Sequence, residues 1–108
     1  MARPYTIVIA EDFTNTPGAR HISDGPFSGE AFYRELLKNK YIEAIGSGQK
    51  LTIVLDNVWG YPSSFISGSF GRLRDDFGLD KILDNIIFIS QDNPKRIEEI
   101  YRNLREQK

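Results

Sequence analysis

The sequence of 108 residues has no cysteine and a single histidine, His21. A chain without cysteine has no catalytic thiol, thiolate metal site, iron–sulfur cluster or disulfide of its own. A single histidine excludes any site that needs several imidazoles. Because small secreted domains commonly depend on disulfides, the absence of cysteine favours a cytoplasmic protein.

The sequence also lacks a charge excess and a long hydrophobic run. Its 14 basic and 15 acidic residues leave a formal net charge of −1, which disfavours nucleic acid as a partner. The apolar stretch near the N-terminus is shorter than the core of a signal peptide or a membrane span, so we expect no membrane association. The glycine-rich nucleotide-binding motifs and the G-x-S-x-G nucleophile motif are missing as well.

The apolar residues fall into two alternating patterns, which predict one α/β domain over residues 1–108. Short β-branched runs predict strands, with Ile53 and Leu55 central in the sheet. Segments with helical spacing separate the runs and predict parallel pairing across helical crossovers. We expect a mixed, mostly parallel β-sheet of about four strands packed with about three to four helices. The predicted strands are 5–10, 51–55 and 86–89, with a short fourth at 19–22 beside the first.

One predicted helix carries its apolar residues on a single face. The residues expected on that face are Ile66, Phe70, Leu73 and Phe77. Gly78 is placed to end this helix in a left-handed conformation. Ser28 and the pair Asn93-Pro94 each suit a helix start. Phe32 and Leu104 are expected to pack these other helices against the sheet.

Candidate catalytic groups are few. Two carboxylates for acid–base chemistry could come from Glu11, Asp12, Asp24 and Glu30, although acids around a polar loop are equally typical of a solvated surface. His21 and Asp24 have a metal-ligand spacing, but they lie in a predicted loop rather than on a helix. We therefore expect neither a catalytic residue nor a bound metal or other cofactor.

The stretch from Thr16 to Phe32 is the first of two segments with an unusual composition. One interpretation is a tight turn in which Ser28 caps the next helix and Arg20 pairs with Asp24 or Glu30. The alternative is an anion or ligand pocket at the helix start, to which Arg20 contributes charge.

The second unusual segment runs from Leu55 to Gly71. Ser63 and Ser64 are simplest as helix N-caps, and the alternative is a phosphorylation switch. Trp59 and Tyr61 precede them in a loop, where aromatic residues are typical interface anchors.

Small residues form a strip along the helix that follows. The strip consists of Ser64, Ser67, Gly68 and Gly71. Glycine inside a helix is destabilising relative to alanine, so the strip needs a structural reason. Close packing against a neighbouring element and a groove for a partner helix both remain open. If the strip is a groove for a partner helix, the partner contacts the residues Trp59, Tyr61, Phe65, Ser67 and Gly68.

The second segment resembles the core of STAS domains, the fold of bacterial anti-sigma factor antagonists. In those domains an aspartate ends a buried strand and a serine pair opens the next helix, as 51–56 and Ser63-Ser64 do here. The two segments together resemble a bacterial STAS-like family of unknown function. The matching positions are Gly18, Arg20, Asp24, Gly25, Pro26, Ser28, Gly29, Glu30, Phe32, Ser64, Phe65, Phe70 and Gly71. The chain departs from the antagonists beside the serine pair, at Pro62 and Phe65.

The resemblance implies a non-enzymatic module that binds and switches a protein partner. The companion it implies is an ATPase of the histidine-kinase type, encoded nearby, or an anti-sigma-like kinase. The main alternative from another class is a small nucleotide- or anion-binding enzyme that uses the loop from Arg20 to Glu30. A third reading is a structural subunit of a larger assembly.

Overall fold

The computed structural model describes residues 5–106. Its strands are β1 (Thr6–Val8), β2 (Leu51–Val54) and β3 (Ile86–Ile89), which lie within the three β-branched runs of the sequence. The first strand is shorter than the predicted 5–10, because Ile9 and Ala10 belong to a helix. Within this part of the chain they form one sheet in the order β1-β2-β3, and both pairings are parallel. The expected central position of the 51–55 segment is confirmed, whereas the expected fourth strand and mixed sheet are wrong.

The expected strand at 19–22 is replaced by an irregular loop. Ala19 has a φ of +72°, outside the β region. The carbonyls of Ala19 and Arg20 accept hydrogen bonds from the amides of Gly29 (3.0 Å) and Glu30 (2.9 Å). The backbone of this segment therefore bonds to the start of the following helix instead of to β1, and a 3₁₀ turn follows over Ile22–Asp24.

The helical segments are more numerous than the expected three to four. A short helix, α1 (Ile9–Asp12), directly follows β1, and α2 (Gly29–Phe32) continues through a π-helical turn at Tyr33–Leu37 into α3 (Lys38–Gly46). The remaining helices are α4 (Ser63–Gly68), α5 (Phe70–Phe77), α6 (Leu79–Asn85) and α7 (Lys95–Glu106). No helix within residues 5–106 is long and apolar enough to cross a membrane.

The predicted helix around Phe70 is interrupted at Ser69, which separates α4 from α5. The buried Ser69 hydroxyl donates to the Phe65 carbonyl at 2.7 Å, a side-chain-to-backbone bond of the kind that bends helices. The apolar positions nevertheless stay inward, since Ile66, Phe70 and Leu73 are at most 2% exposed. Gly78 ends α5 at a positive φ of 95°, although its ψ of 142° lies outside the left-handed helical region that we expected.

The helices cover one face of the sheet. Alternate strand residues are buried, among them Ile7, Ile53 and Phe88, which lie side by side in register. The residues between them are more exposed, and Ile87 reaches 45%. Successive right-handed crossovers in one direction place their helices on the same side, which explains the two-layer arrangement. The core therefore lies between this face and the helices that carry Phe32, Phe70 and Leu104, as the sequence predicts.

Candidate functional site

The loops that follow β2 and β3 are joined at the carboxyl end of the sheet. The Asp56 carboxylate accepts hydrogen bonds from the amides of Gln91 (2.7 Å) and Asp92 (2.8 Å). In return, the Asp92 carboxylate accepts from the Asn57 amide at 2.9 Å, and this bond is the main reason that the pKa of Asp92 lies below its usual range. The sequence marks Asp56 only as the end of a strand, so this reciprocal connection was missed.

The loop between β2 and α4 is held in place by hydrogen bonds from several parts of the chain. The Trp59 amide donates to the Asn15 carbonyl at 2.9 Å, and the Tyr61 hydroxyl donates to the Leu55 carbonyl at 2.9 Å. Arg96 of α7 donates to the Trp59 carbonyl at 3.4 Å, and its guanidinium lies 5.5 Å from the centre of the Tyr61 ring. These contacts fix the backbone on both sides of Trp59.

The three aromatic residues proposed as partner contacts have different surroundings. The Trp59 side chain is 83% exposed, and Tyr61 is half-buried. Phe65 is fully buried and packs against Phe32 (5.7 Å between ring centroids) and Phe13 (6.3 Å). The expectation that Phe65 contacts a partner is therefore wrong, because its ring is part of the core. Trp59 is the residue that the loop presents to solvent.

Ser63 and Ser64 lie in the first turn of α4, close to Trp59 in the chain. The N-cap position is taken by Pro62, whose carbonyl accepts the Ile66 amide at 3.1 Å. The simpler interpretation of the serine pair as N-caps is therefore wrong. Ser63 is exposed and Ser64 is half-buried.

At Gly68 the structure shows the close packing that was one of the two alternatives for the small-residue strip. A Cβ at this position would lie 2.6 Å from the Arg20 carbonyl oxygen. The backbone of the Arg20 loop thus occupies the space that a partner helix would need beside Gly68. Ser67 is half-buried and lines a small cavity with Gly68.

The start of α2 is capped by Ser28, as the sequence predicts. The buried Ser28 hydroxyl accepts a hydrogen bond from the Ala31 amide at 3.1 Å. The amides of Gly29 and Glu30 donate to the carbonyls of the Arg20 loop. The first-turn amides that an anion would need are therefore already bonded, so the backbone of the helix start is not available to an anion.

Glu30 has other partners than the expected Arg20. Its carboxylate accepts from the Ile22 amide at 2.9 Å and forms an ion pair with Arg34 at 3.1 Å, while His21 lies 3.8 Å away. Neither Glu30 nor Asp24 forms an ion pair with Arg20 in the described part of the chain, and Asp24 is exposed. The Ile22 amide, with a smaller contribution from Arg34, lowers the pKa of Glu30, which does not suit a base working near neutral pH.

Replacement of Glu30 by glutamine is expected to reduce the acid sensitivity of the fold. Because the Ile22 amide holds the folded-state pKa of Glu30 below the ordinary value for glutamate, the charged carboxylate stabilises the fold at pH values above that ordinary pKa. This stabilisation is lost as the pH falls through the lowered pKa. Unfolding by urea between about pH 6 and 3 should therefore show a shallower decline for the variant. Asp24→Asn, at an exposed carboxylate nearby, is the control and should follow the parent. A Glu30 variant with the parent's full decline would contradict the assigned contacts.

The remaining acidic candidates are spread over separate places. Asp12 accepts the Val8 amide at 2.8 Å, whereas Glu11 lines a cavity of about 310 Å³ at the carboxyl end of the strands with Asp56 and Asp92. Glu30 lines a different cavity. Among residues 5–106, no group of three histidine, aspartate or glutamate side chains is placed to hold a metal ion.

The chain was compared with models of known protein families. Residues 28–96 match the model of a family described as a STAS-like domain of unknown function (DUF4325). The match runs from the Ser28 cap to the first turn of α7 and includes β2, β3 and the loop that carries Trp59. No curated protein and no solved structure shows significant similarity to the chain.

Proposed function

Because the chain belongs to the family of STAS-like domains of unknown function, we propose that it is a regulatory module that binds a protein partner and catalyses no reaction. The observation that carries this proposal is the 83% exposure of Trp59, whose amide donates a hydrogen bond to the Asn15 carbonyl and whose carbonyl accepts one from Arg96. The partner surface consists of Trp59, the exposed edge of Tyr61 and the first turn of α4.

The energetics of association favour this surface. Tryptophan is enriched among the few residues that supply most of the binding free energy of an interface. Ordering a flexible loop on binding opposes association, and a loop that is already fixed avoids most of that cost. The Trp59 loop combines a large exposed ring with a backbone that is already hydrogen-bonded. Little of the free energy gained by burying the ring is therefore lost to ordering the loop.

We assign the switch to Ser63, which is exposed four positions after Trp59. Phosphorylation would add about −1.5 to −2 charges directly beside the proposed partner surface. Since the Ser63 side chain faces solvent and caps no helix, the domain can accept this charge without repacking. An acidic partner surface would then be repelled. Ser64 is half-buried and therefore the less accessible member of the pair.

The partner that we propose is an ATPase of the histidine-kinase type, acting in the bacterial cytoplasm, as the relation to anti-sigma factor antagonists implies. The experiment mixes the purified chain with the kinase-type ATPase encoded beside it and measures the dissociation constant by calorimetry. Trp59→Ala should weaken binding at least tenfold, or about 1.4 kcal/mol, without lowering the melting temperature. Ile87→Ala, at an exposed apolar residue on the open sheet face, is the control and should bind like the parent.

The same assay tests the switch. Ser63→Asp should weaken binding and leave the melting temperature unchanged, whereas Ser23→Asp, at an exposed serine in another loop, should leave both unchanged. With ATP present, mass spectrometry should place a phosphate on Ser63.

Equal affinity of the parent and the Trp59→Ala variant would refute the proposed surface. Turnover of a nucleotide by the purified chain would favour the enzyme alternative instead.

A further inference from the structure

A small cavity lies between the Arg20 loop and helices α4 and α5. Its volume is about 180 Å³, and its lining includes Arg20, His21, Ser67 and Arg72. It is distinct from the proposed partner surface, whose Trp59 and Tyr61 line other cavities. Two arginines, a histidine and a serine thus line a space large enough for a small ligand, together with the acidic residues Glu30 and Asp75.

Arg20 is held in position although its charge is unpaired. Its carbonyl accepts the Glu30 amide at 2.9 Å, and its side-chain stem lies against Gly68, where an added Cβ would be 3.2 Å from the Arg20 Cγ. Across residues 5–106, no carboxylate forms an ion pair with its guanidinium. The loop therefore places at the cavity an arginine that has no ion-pair partner among the described residues.

Arg72 brings the second positive charge. Its guanidinium lies 5.6 Å from the centre of the Tyr33 ring, and its Nε is 3.9 Å from a carboxylate oxygen of Asp76. Asp76 also accepts a hydrogen bond from the Tyr33 hydroxyl, so its negative charge is shared between two donors. This weak pairing leaves most of the hydrogen-bonding capacity of Arg72 free for a ligand.

The two acidic residues that line the cavity are already paired with other cations. Glu30 is bonded to Arg34 at 3.1 Å and to the Ile22 amide. Asp75 is bonded to Arg74 at 3.0 Å. Both carboxylates therefore have an arginine partner outside the cavity lining, and neither forms an ion pair with Arg20 or Arg72 in the described part of the chain.

We propose that this cavity binds a phosphate group, either as inorganic phosphate or as a small phosphate monoester. Guanidinium groups form forked, charge-assisted hydrogen bonds with phosphate oxygens, and the Ser67 hydroxyl and the His21 imidazole supply further donors. The site does not use the helix N-terminus, whose amides are bonded elsewhere. It is independent of partner binding through Trp59.

The test titrates the ¹⁵N-labelled chain with inorganic phosphate, glycerol 3-phosphate and, as a neutral probe, glycerol, at constant ionic strength. Phosphate should shift the amide signals of residues 20, 67 and 68 in a saturable manner, and glycerol should not. A larger affinity for glycerol 3-phosphate than for inorganic phosphate would identify a monoester as the ligand; the reverse would identify the free ion.

Variants distinguish the proposed cavity from nonspecific binding. Arg20→Gln and Arg72→Gln should each weaken phosphate binding at least about tenfold, and Ser67→Ala should weaken it less. The matched control is Arg102→Gln, at an exposed arginine of α7 outside the cavity, and it should bind like the parent. Circular dichroism verifies that each variant is folded. If an arginine variant does not fold, the Ser67→Ala variant still tests whether phosphate binds in the cavity. No saturable shift, or equal affinity in all variants, would overturn the proposal.

Discussion

Replacement of Gly29 by alanine is expected to destabilise the fold by about 3 kcal/mol, the upper end of the usual cost of overpacking. Gly29 begins α2 where this helix crosses α4. An added Cβ would meet the Phe65 carbonyl oxygen and would lie 2.8 Å from the Gly68 carbonyl carbon. Both obstacles are backbone atoms, so relief requires the two helices to separate rather than one side chain to turn.

Urea unfolding of the Gly29→Ala variant measures this cost, with Gly46→Ala as the control. Gly46 ends α3 and has nothing within 4 Å of an added Cβ. Because alanine is the better helix former, the stability of the Gly46→Ala variant should be unchanged or slightly higher. If both variants were as stable as the parent, the close crossing of α2 and α4 would be incorrect.

Phe70→Ala is expected to have an effect of similar or larger size, about 3–5 kcal/mol. Phe70 is fully buried, and its ring lies 5.2 Å from that of Phe88 in the sheet and 5.9 Å from that of Phe32. Removal of the ring leaves a cavity where three elements meet. Since domains of this size are stable by only about 5–15 kcal/mol, the loss is a large part of the total.

Thermal unfolding should show this loss as a fall in melting temperature of more than about 10 °C. Phe27→Ala is the control, because Phe27 is 42% exposed and contacts Phe13 only edge-on. Its cost should stay within about 1 kcal/mol. A Phe70→Ala variant that melts within about two degrees of the parent would show that this helix face is not part of the core.

The core was predictable because its signal is local and repetitive. β-branched runs correctly predict β2 and β3, and the helical spacing of Ile66 and Phe70 places both in the interior although Ser69 interrupts the helix. The Ser28 cap was predictable for the same reason, since a cap needs only the residue and the helix after it.

The loops were not predictable to the same extent, because their contacts come from distant parts of the chain. Nothing near Arg20 indicates that its carbonyl will accept the Glu30 amide, so a strand was expected where a loop occurs. Likewise, Trp59 and Phe65 are aromatic residues six positions apart in the same segment. Only the path of the hydrogen-bonded loop determines that one is exposed and the other buried.

The family relationship was predictable from the motifs around Ser28 and Ser64, and the family match over residues 28–96 confirms it.

The cavity near Arg20 was only partly predictable. The sequence identifies Arg20 as a candidate for anion binding, but Arg72 and Ser67 reach the same cavity through the packing of α4 and α5 against the loop. The close approach of α2 and the Arg20 loop to α4 depends on the missing Cβ atoms of Gly29 and Gly68, which the sequence alone does not indicate.

The all-parallel sheet has a consequence for the order of folding events. Each pairing joins strands at opposite ends of a helical crossover, so no hairpin can nucleate the sheet. β2 forms hydrogen bonds along both of its edges only after the chain segments before and after it have brought β1 and β3 alongside. The entropy lost in closing these two long loops slows that step. Until then, the apolar strands around Val54 and Ile87 have unpaired edges through which two nascent chains can associate. The refolding yield should therefore fall as the protein concentration rises.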